Sequence, residues 1–273
     1  MNNDERVHVQ VGEDQVAQVT LVRTDKSNAL DGPMFDALIA AGERLRNERG
    51  VRAVVLSGEG KGFCAGIDMQ VLADMKDGTI AGTRDLVERT HGLCNRFQYA
   101  AWIWRELPMP VIAAVHGFAL GGGLELALGA DFRYAAPDTR MSIMEVNWGL
   151  VPDMGGIVRF HDLMRDDVVR ELAFTGRVFD AAEAFGYGLV TRVDADPRAL
   201  ALATARDIAT RSPDAVRALK RLFASQSSPV AAAGLLAECV EQQRLLGTPN
   251  QIETVRVSRE KRAPVFTDGS PSC

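Results

Sequence analysis

The stretch Pro110-Val-Ile-Ala-Ala-Val-His-Gly-Phe-Ala-Leu-Gly-Gly-Gly-Leu-Glu-Leu-Ala-Leu-Gly-Ala-Asp131 decides how the rest of the chain is read. Val111 to Val115 is a short apolar run of the kind that forms a buried strand. A glycine turn follows, then a helix that opens on three glycines, Gly121 to Gly123, with Glu125 one turn inside. The first N–H groups of a helix have no partner within it, so such a junction aims backbone donors at one point in space. Those donors stabilise an oxyanion, and a carboxylate lies beside them. A second carboxylate, Glu145, follows in Ser142-Ile-Met-Glu-Val-Asn-Trp-Gly-Leu-Val-Pro-Asp153. Two glutamates near one oxyanion site imply acid/base chemistry beside a carbonyl.

Working outward, 273 residues suffice for one large domain or a domain with an appendage. Apolar residues make up 47% and charged residues 25%, the usual balance of a globular protein. The net charge of −5 disfavours a nucleic-acid partner. No apolar run approaches the roughly 20 residues of a membrane span. Residues 1–10 are polar and mixed in charge, with no secretory signal. Cys64, Cys94, Cys239 and Cys273 have no paired spacing, which points to a reduced, cytoplasmic setting and to no metal site.

Gln18–Val22 has strand character, and Met34, Leu38, Ala41 and Leu45 fall at helical spacing within a helix from Met34 to Arg46. A second strand, Val51–Leu56, ends at Ser57-Gly-Glu-Gly60 and leads into the tight turn Gly62-Phe-Cys-Ala-Gly-Ile-Asp68. Arg84 to Leu107 is predicted to be one long helix stopped before Pro108. Strand, glycine turn and helix thus recur around 51–75 and 111–129. From about Asp162 the chain is mostly helical, with a turn at Asp194-Ala-Asp-Pro197, a restart at Ser212-Pro213 and a polar Gly/Ser/Pro tail. The helices beyond Asp196 carry apolar faces that need a partner.

PVIAAVHGFALGGGLELALGADFRYA, with FCAGIDM upstream and EVNWGLVPDMGG downstream, resembles the crotonase family, also called the enoyl-CoA hydratase/isomerase family. Weaker matches run from Ala17 to about Val193. The resemblance implies an α/β fold: a crotonase-like spiral of ββα units over residues 1–196 with an acyl-CoA site. A C-terminal helical region, 197–273, would pack against neighbouring subunits in trimers that pair into hexamers. It implies oxyanion donors at the backbone N–H groups of Ile67 and Gly122, at roughly 3 kcal/mol of barrier per donor. Substrate contacts are expected at Lys61, Ala65, Gly66, Asp68 and Gly121, with Lys61 meeting the coenzyme A phosphates. The chemistry is proton transfer alone, so no cofactor is expected, coenzyme A being part of the substrate. Chain length and shape of the acyl group rest on residues 70–105.

Within the family, hydratases carry glutamates at the positions of Glu125 and Glu145. Together they hold a water and add it across the 2,3 double bond. The first reading is therefore hydration of a 2-enoyl-CoA to a 3-hydroxyacyl-CoA. The alternative, a Δ3,5-Δ2,4-dienoyl-CoA isomerase or an enoyl-CoA isomerase using Glu125, Glu145 and Asp153, rests on Asp153. The family's dienoyl-CoA isomerases carry an aspartate eight positions past the second glutamate, as here, where typical hydratases have a glycine-rich turn. Those isomerases, however, have Asp where this chain has Glu125. A third reading, a member that binds CoA or RNA without turnover, is opposed by the intact glutamates and the acidic balance.

Each residue also has a plainer role. The glycines can serve close packing, Glu125 the helix dipole, and Glu145 a surface helix start. Asp153 fits an N-cap for a helix starting at Met154-Gly-Gly, the favoured role in the hydratase reading. His116 suits a hydrogen-bonded structural histidine and Cys64 a packed thiol. Trp102 and Trp104 suit core or acyl tunnel. Lys261, Arg262 and Phe266 are either solvated or near a neighbour's coenzyme A site.

Overall fold

The computed structural model describes residues 5–225 and 228–266; the polar tail beyond Phe266, with Cys273, lies outside the described residues. In chain order the first elements are β1 (Val7–Val11), β2 (Val16–Leu21), α1 (Gly32–Asn47), β3 (Ala53–Gly58), α2 (Met69–Asp74) and α3 (Arg96–Glu106). Then come β4 (Val111–Val115), β5 (Phe118–Leu120), α4 (Gly122–Leu128), β6 (Phe132–Ala135), β7 (Arg140–Ser142), α5 (Gly156–Leu163) and α6 (Asp166–Thr175). The chain closes with β8 (Phe179–Asp180), α7 (Ala181–Gly186), β9 (Arg192–Val193), α8 (Pro197–Ala209), α9 (Pro213–Ser225), α10 (Ser228–Leu245) and α11 (Pro249–Glu260).

The large sheet has the order β1-β2-β3-β4-β6-β9, parallel except for the β1–β2 hairpin. Every residue of β3 and β4 is buried, as continuous apolar runs in a two-face-covered parallel sheet require. One face packs on α1 and α4, which α3 in turn contacts. The other carries Val55, Ile112, Ala114 and Tyr134 against Ala201 and Ala205 of α8. The first helix of the C-terminal region therefore finds its apolar partner within the same chain.

The stretch that opened the reading holds one more element than expected. Between β4 and α4 the chain forms β5, which leaves the large sheet and joins a second sheet of order β5-β7-β8. This change of sheet carries Gly121–Gly123 towards the first glycine turn, where Leu120 N donates to Cys64 O at 3.1 Å.

Arg84 to Leu107 is not one helix. Asn95 starts α3 with a capping box: its side chain accepts from Gln98 N at 2.9 Å, and Gln98 Oε1 accepts from Asn95 N at 3.2 Å. Upstream the chain makes two isolated bridges, Ile80 to Thr83 and His91 to Cys94, and buries Leu86 and Cys94 singly while Val87 and Leu93 stay exposed. Apolar residues at helical spacing were present, but the cap and the turn at Gly92 overrode them.

Candidate active site

The two glycine turns meet at one wall of a cavity of about 490 Å³. Gly66 has φ +84°, and a Cβ there would lie 2.5 Å from Leu120 O and 3.7 Å from Gly122 N. Only glycine permits this approach. Leu30 pairs across Ile67, accepting from Asp68 N at 3.0 Å and donating to Gly66 O at 2.8 Å. Ile67 and Gly122 both line the cavity, and among the described residues neither backbone N–H has a protein acceptor. Gly121, at φ +51°, lets Glu145 come close: a Cβ would lie 2.9 Å from Glu145 Oε1.

Four acids line the same cavity, and three of them, Glu125, Glu145 and Asp153, have raised pKa values; the fourth, Asp68, is paired with Arg23. Glu125, on the first turn of α4, is buried, and its Oε1 accepts from Met154 N at 3.1 Å and Gly156 N at 2.9 Å. Its pKa is raised well above the ordinary carboxylate value by burial, then by the charges of Glu145, Glu238 and Asp153. Glu145 opens a 3-10 turn after β7, and burial pushes its pKa up to about 8. Burial likewise raises Asp153 to about 7, against smaller lowering effects of its own backbone N–H and of the neighbouring Gln242. Among the described residues Glu145 Oε2 and Asp153 Oδ2 are buried without a hydrogen-bond partner. Buried acid oxygens without partners are costly.

Asp153 does not cap a helix. α5 begins at Gly156, its N-cap is Gly155, and no side chain of that turn accepts its N–H groups. Those groups go instead to two distant carboxylates, Glu125 and Glu238. Two glycines at the start of α5 free the backbone to meet acids from α4 and α10, so the aspartate is left facing the cavity. Glu145 is likewise no surface residue, being 9% exposed.

Of the expected substrate contacts, Ala65, Gly66, Asp68 and Gly121 line the cavity. The Asp68 carboxylate is already engaged: it accepts from Arg23 at 2.7 Å and from Gln70 N at 2.8 Å, fixing the turn beside Ile67. Lys61 is exposed and lies outside the lining, whereas Lys26, which the sequence reading passed over, lies on it. Cys64 is a packed thiol: burial raises its pKa to about 12 and Sγ donates to Asn28 O. His116 is bonded through Nε2 to Gly60 O at 3.1 Å. Trp102 and Trp104 are core, neither lining the cavity. Arg262 is paired with Glu253 and Glu260 at 2.7 Å each.

The apolar wall falls largely where the sequence reading placed the acyl pocket, residues 70–105: Leu72, Met75, Ile80 and Phe97 face the cavity, joined by Phe35, which that reading did not name, and by Gln242 of α10. Glu238 of α10 was not named either. The wall mixes residues from α1, α2, α3 and the loop between α2 and α3, so no single stretch announces it.

The profile of the enoyl-CoA hydratase/isomerase family matches residues 12–269. The chain belongs to that family, the crotonases. It is 33% identical over 268 residues to the human mitochondrial Δ(3,5)-Δ(2,4)-dienoyl-CoA isomerase, covering 94% of this chain and 80% of the relative. It is 35% identical over 258 residues to mouse enoyl-CoA hydratase domain-containing protein 2, covering 92% and 84%. Among solved structures, an enoyl-CoA hydratase/isomerase from Pseudoalteromonas atlantica T6c superposes with a TM-score of 0.83 at 28% identity, over 96% of this chain and all of that one. A carnitinyl-CoA hydratase from Mycobacterium avium gives 0.81 at 30% identity, over 96% and 98%. These relatives share the fold and differ in the named reaction, so the reaction must be argued from the site.

Proposed function

We propose that this crotonase is a Δ3,5-Δ2,4-dienoyl-CoA isomerase, which moves a proton from C2 to C6 of a 3,5-dienoyl thioester. The observation that carries the reading is Asp153: a half-buried residue on the cavity, released from capping, with one carboxyl oxygen buried and unpartnered. The thioester acidifies C2, and loss of that proton pushes charge onto the thioester oxygen. The N–H groups of Ile67 and Gly122 receive that charge. Glu145 in its ionised form, gained as pH rises through about 8, is the base, because its Oε1 lies against Gly121, next to the Gly122 donor. Asp153 returns a proton at C6. After turnover Glu145 holds the proton taken from C2 and Asp153 is ionised, its own proton now on C6; both reset by exchange with solvent. Glu125, whose pKa burial raises well above the ordinary carboxylate value, stays anchored to the start of α5 through Met154 N and Gly156 N. Lys26 and Lys61 offer charge to the coenzyme A phosphates.

A second reading, hydration of a 2-enoyl-CoA by Glu125 and Glu145, is favoured by one observation: Glu125 is a glutamate, as in the family's hydratases. A panel of 3,5-dienoyl-, 3-enoyl- and 2-enoyl-CoA thioesters separates the two by ultraviolet absorbance. Growth of conjugated-diene absorbance from a 3,5-dienoyl-CoA supports the isomerase. Loss of enone absorbance from a 2-enoyl-CoA, with no action on the diene, would overturn it in favour of the hydratase.

A further inference from the structure

Four successive N–H groups at the start of α5 are shared alternately between two buried carboxylates. Met154 N and Gly156 N donate to Glu125 Oε1. Gly155 N donates to Glu238 Oε2 and Ile157 N to Glu238 Oε1, each at 2.9 Å. Glu238 lies on α10 and is 4% exposed. It also accepts from Gln98 Nε2 of α3 at 3.1 Å, so both its oxygens are engaged by donors. It does not line the cavity.

One turn further along α10, Gln242 does line the cavity. Residues four apart on a helix face the same way. Gln242 Oε1 accepts from Val151 N at 3.0 Å, two residues before Asp153, and both Gln242 and Asp153 line the cavity. α10 therefore grips the chain on both sides of Asp153: at Val151 before it, and at Gly155 and Ile157 after it.

We propose that Glu238, acting with Gln242, is a positioning residue that fixes the reach of the Asp153 carboxyl, making α10 of the C-terminal helical region part of the active site. The proposal rests on Asp153 being the acid at C6. A group held this way loses rate steeply when displaced by about 1 Å, on the order of a hundredfold. Glu145 sits in a different segment, after β7, and none of these hydrogen bonds holds it; because the Glu238 charge is the smallest of the influences on its pKa, C2 exchange is followed as a pH profile. Glu238→Gln keeps the volume but presents an amide N–H₂ to a backbone N–H, which slackens the hold on residues 155–157.

The test separates the two proton steps. The full-length protein is incubated with 3,5-octadienoyl-CoA in D₂O. Deuterium entry at C2 is followed by mass spectrometry, and product by diene absorbance. In Glu238→Gln, isomerisation is expected to fall at least about tenfold while C2 exchange and KM stay within about twofold. Gln242→Met should show the same selective loss, and it decides the matter if Glu238→Gln does not fold. An equal fall in exchange and isomerisation would show Glu238 to be scaffolding and overturn the proposal, leaving the isomerase reading intact. If instead Asp153→Asn isomerises the diene at the wild-type rate, the acid assignment fails, and the positioning role fails with it.

Discussion

At the scale of single residues, Asp153 separates the reactions. Asn is nearly isosteric with Asp but carries no proton to give. Asp153→Asn is expected to cut turnover of a 3,5-dienoyl-CoA at least about a hundredfold. Because Asp153 caps nothing, the melting temperature should not fall. A protein that retains isomerase activity would sink the assignment. Glu145→Ala should cost at least about a hundredfold with coenzyme A affinity unchanged, whereas Glu125→Ala should also lose stability. It strands two buried N–H groups, at about 1–3 kcal/mol each. The raised pKa values give a pH signature. Between its ordinary 4.5 and about 8, Glu145 is protonated when folded and ionised when unfolded. The folded state then binds more protons, so this group's contribution falls as pH rises through that window. Glu145→Gln should therefore melt higher than wild type at pH 8, with the difference vanishing towards pH 4; a constant difference would refute the buried acid. Glu125 and Glu145 were legible in the sequence because they stand in a compact motif. Glu238 was not: it is a single acid in Gly234-Leu-Leu-Ala-Glu-Cys-Val240, and only the fold shows that its apolar neighbours bury it against α5.

At the scale of elements, the site depends on where α4 begins. The N–H of Gly122 is the first of that helix, and β5 delivers it opposite Ile67. Gly122→Pro removes this donor while proline remains acceptable in a first turn. Activity should fall by about a hundredfold or more, the scale of one lost oxyanion donor. Circular dichroism must show a native fold for the result to count, because a Cβ at Gly122 would lie 2.9 Å from the Met154 sulfur. A folded variant with normal turnover would rule out this donor. Elements bounded by local signals were legible: β4 matched its apolar run, and α8 and α9 begin at the prolines that marked them. Elements set by distant partners were not. β5 exists because β7 is there to pair with it, and residues 84–95 stay non-helical because the Asn95 cap and the His91–Cys94 bridge hold them.

At the scale of the whole molecule, the C-terminal helices are only partly satisfied by their own chain. α8 covers the sheet, and α10 packs on α5 and enters the site. α9 differs. Leu219, Leu222 and Phe223 fall at i, i+3 and i+4 on one face and are 52%, 62% and 73% exposed. Leu219 and Phe223 border a second cavity of about 1110 Å³, together with Val230 of α10 and Phe132 of β6. A clustered apolar face of this kind marks an interaction surface more often than a solvated one. A second copy of the chain would bury it, consistent with a trimer or a hexamer. Phe223→Asp places a charge on that face and is expected to shift the protein to smaller species, with the helical content of the chain preserved. Light scattering at micromolar concentration should give three or six times the 29.6 kDa chain mass for the unaltered protein. A single-chain mass would sink the assembly, and α9 would then be an exposed face without a self-partner.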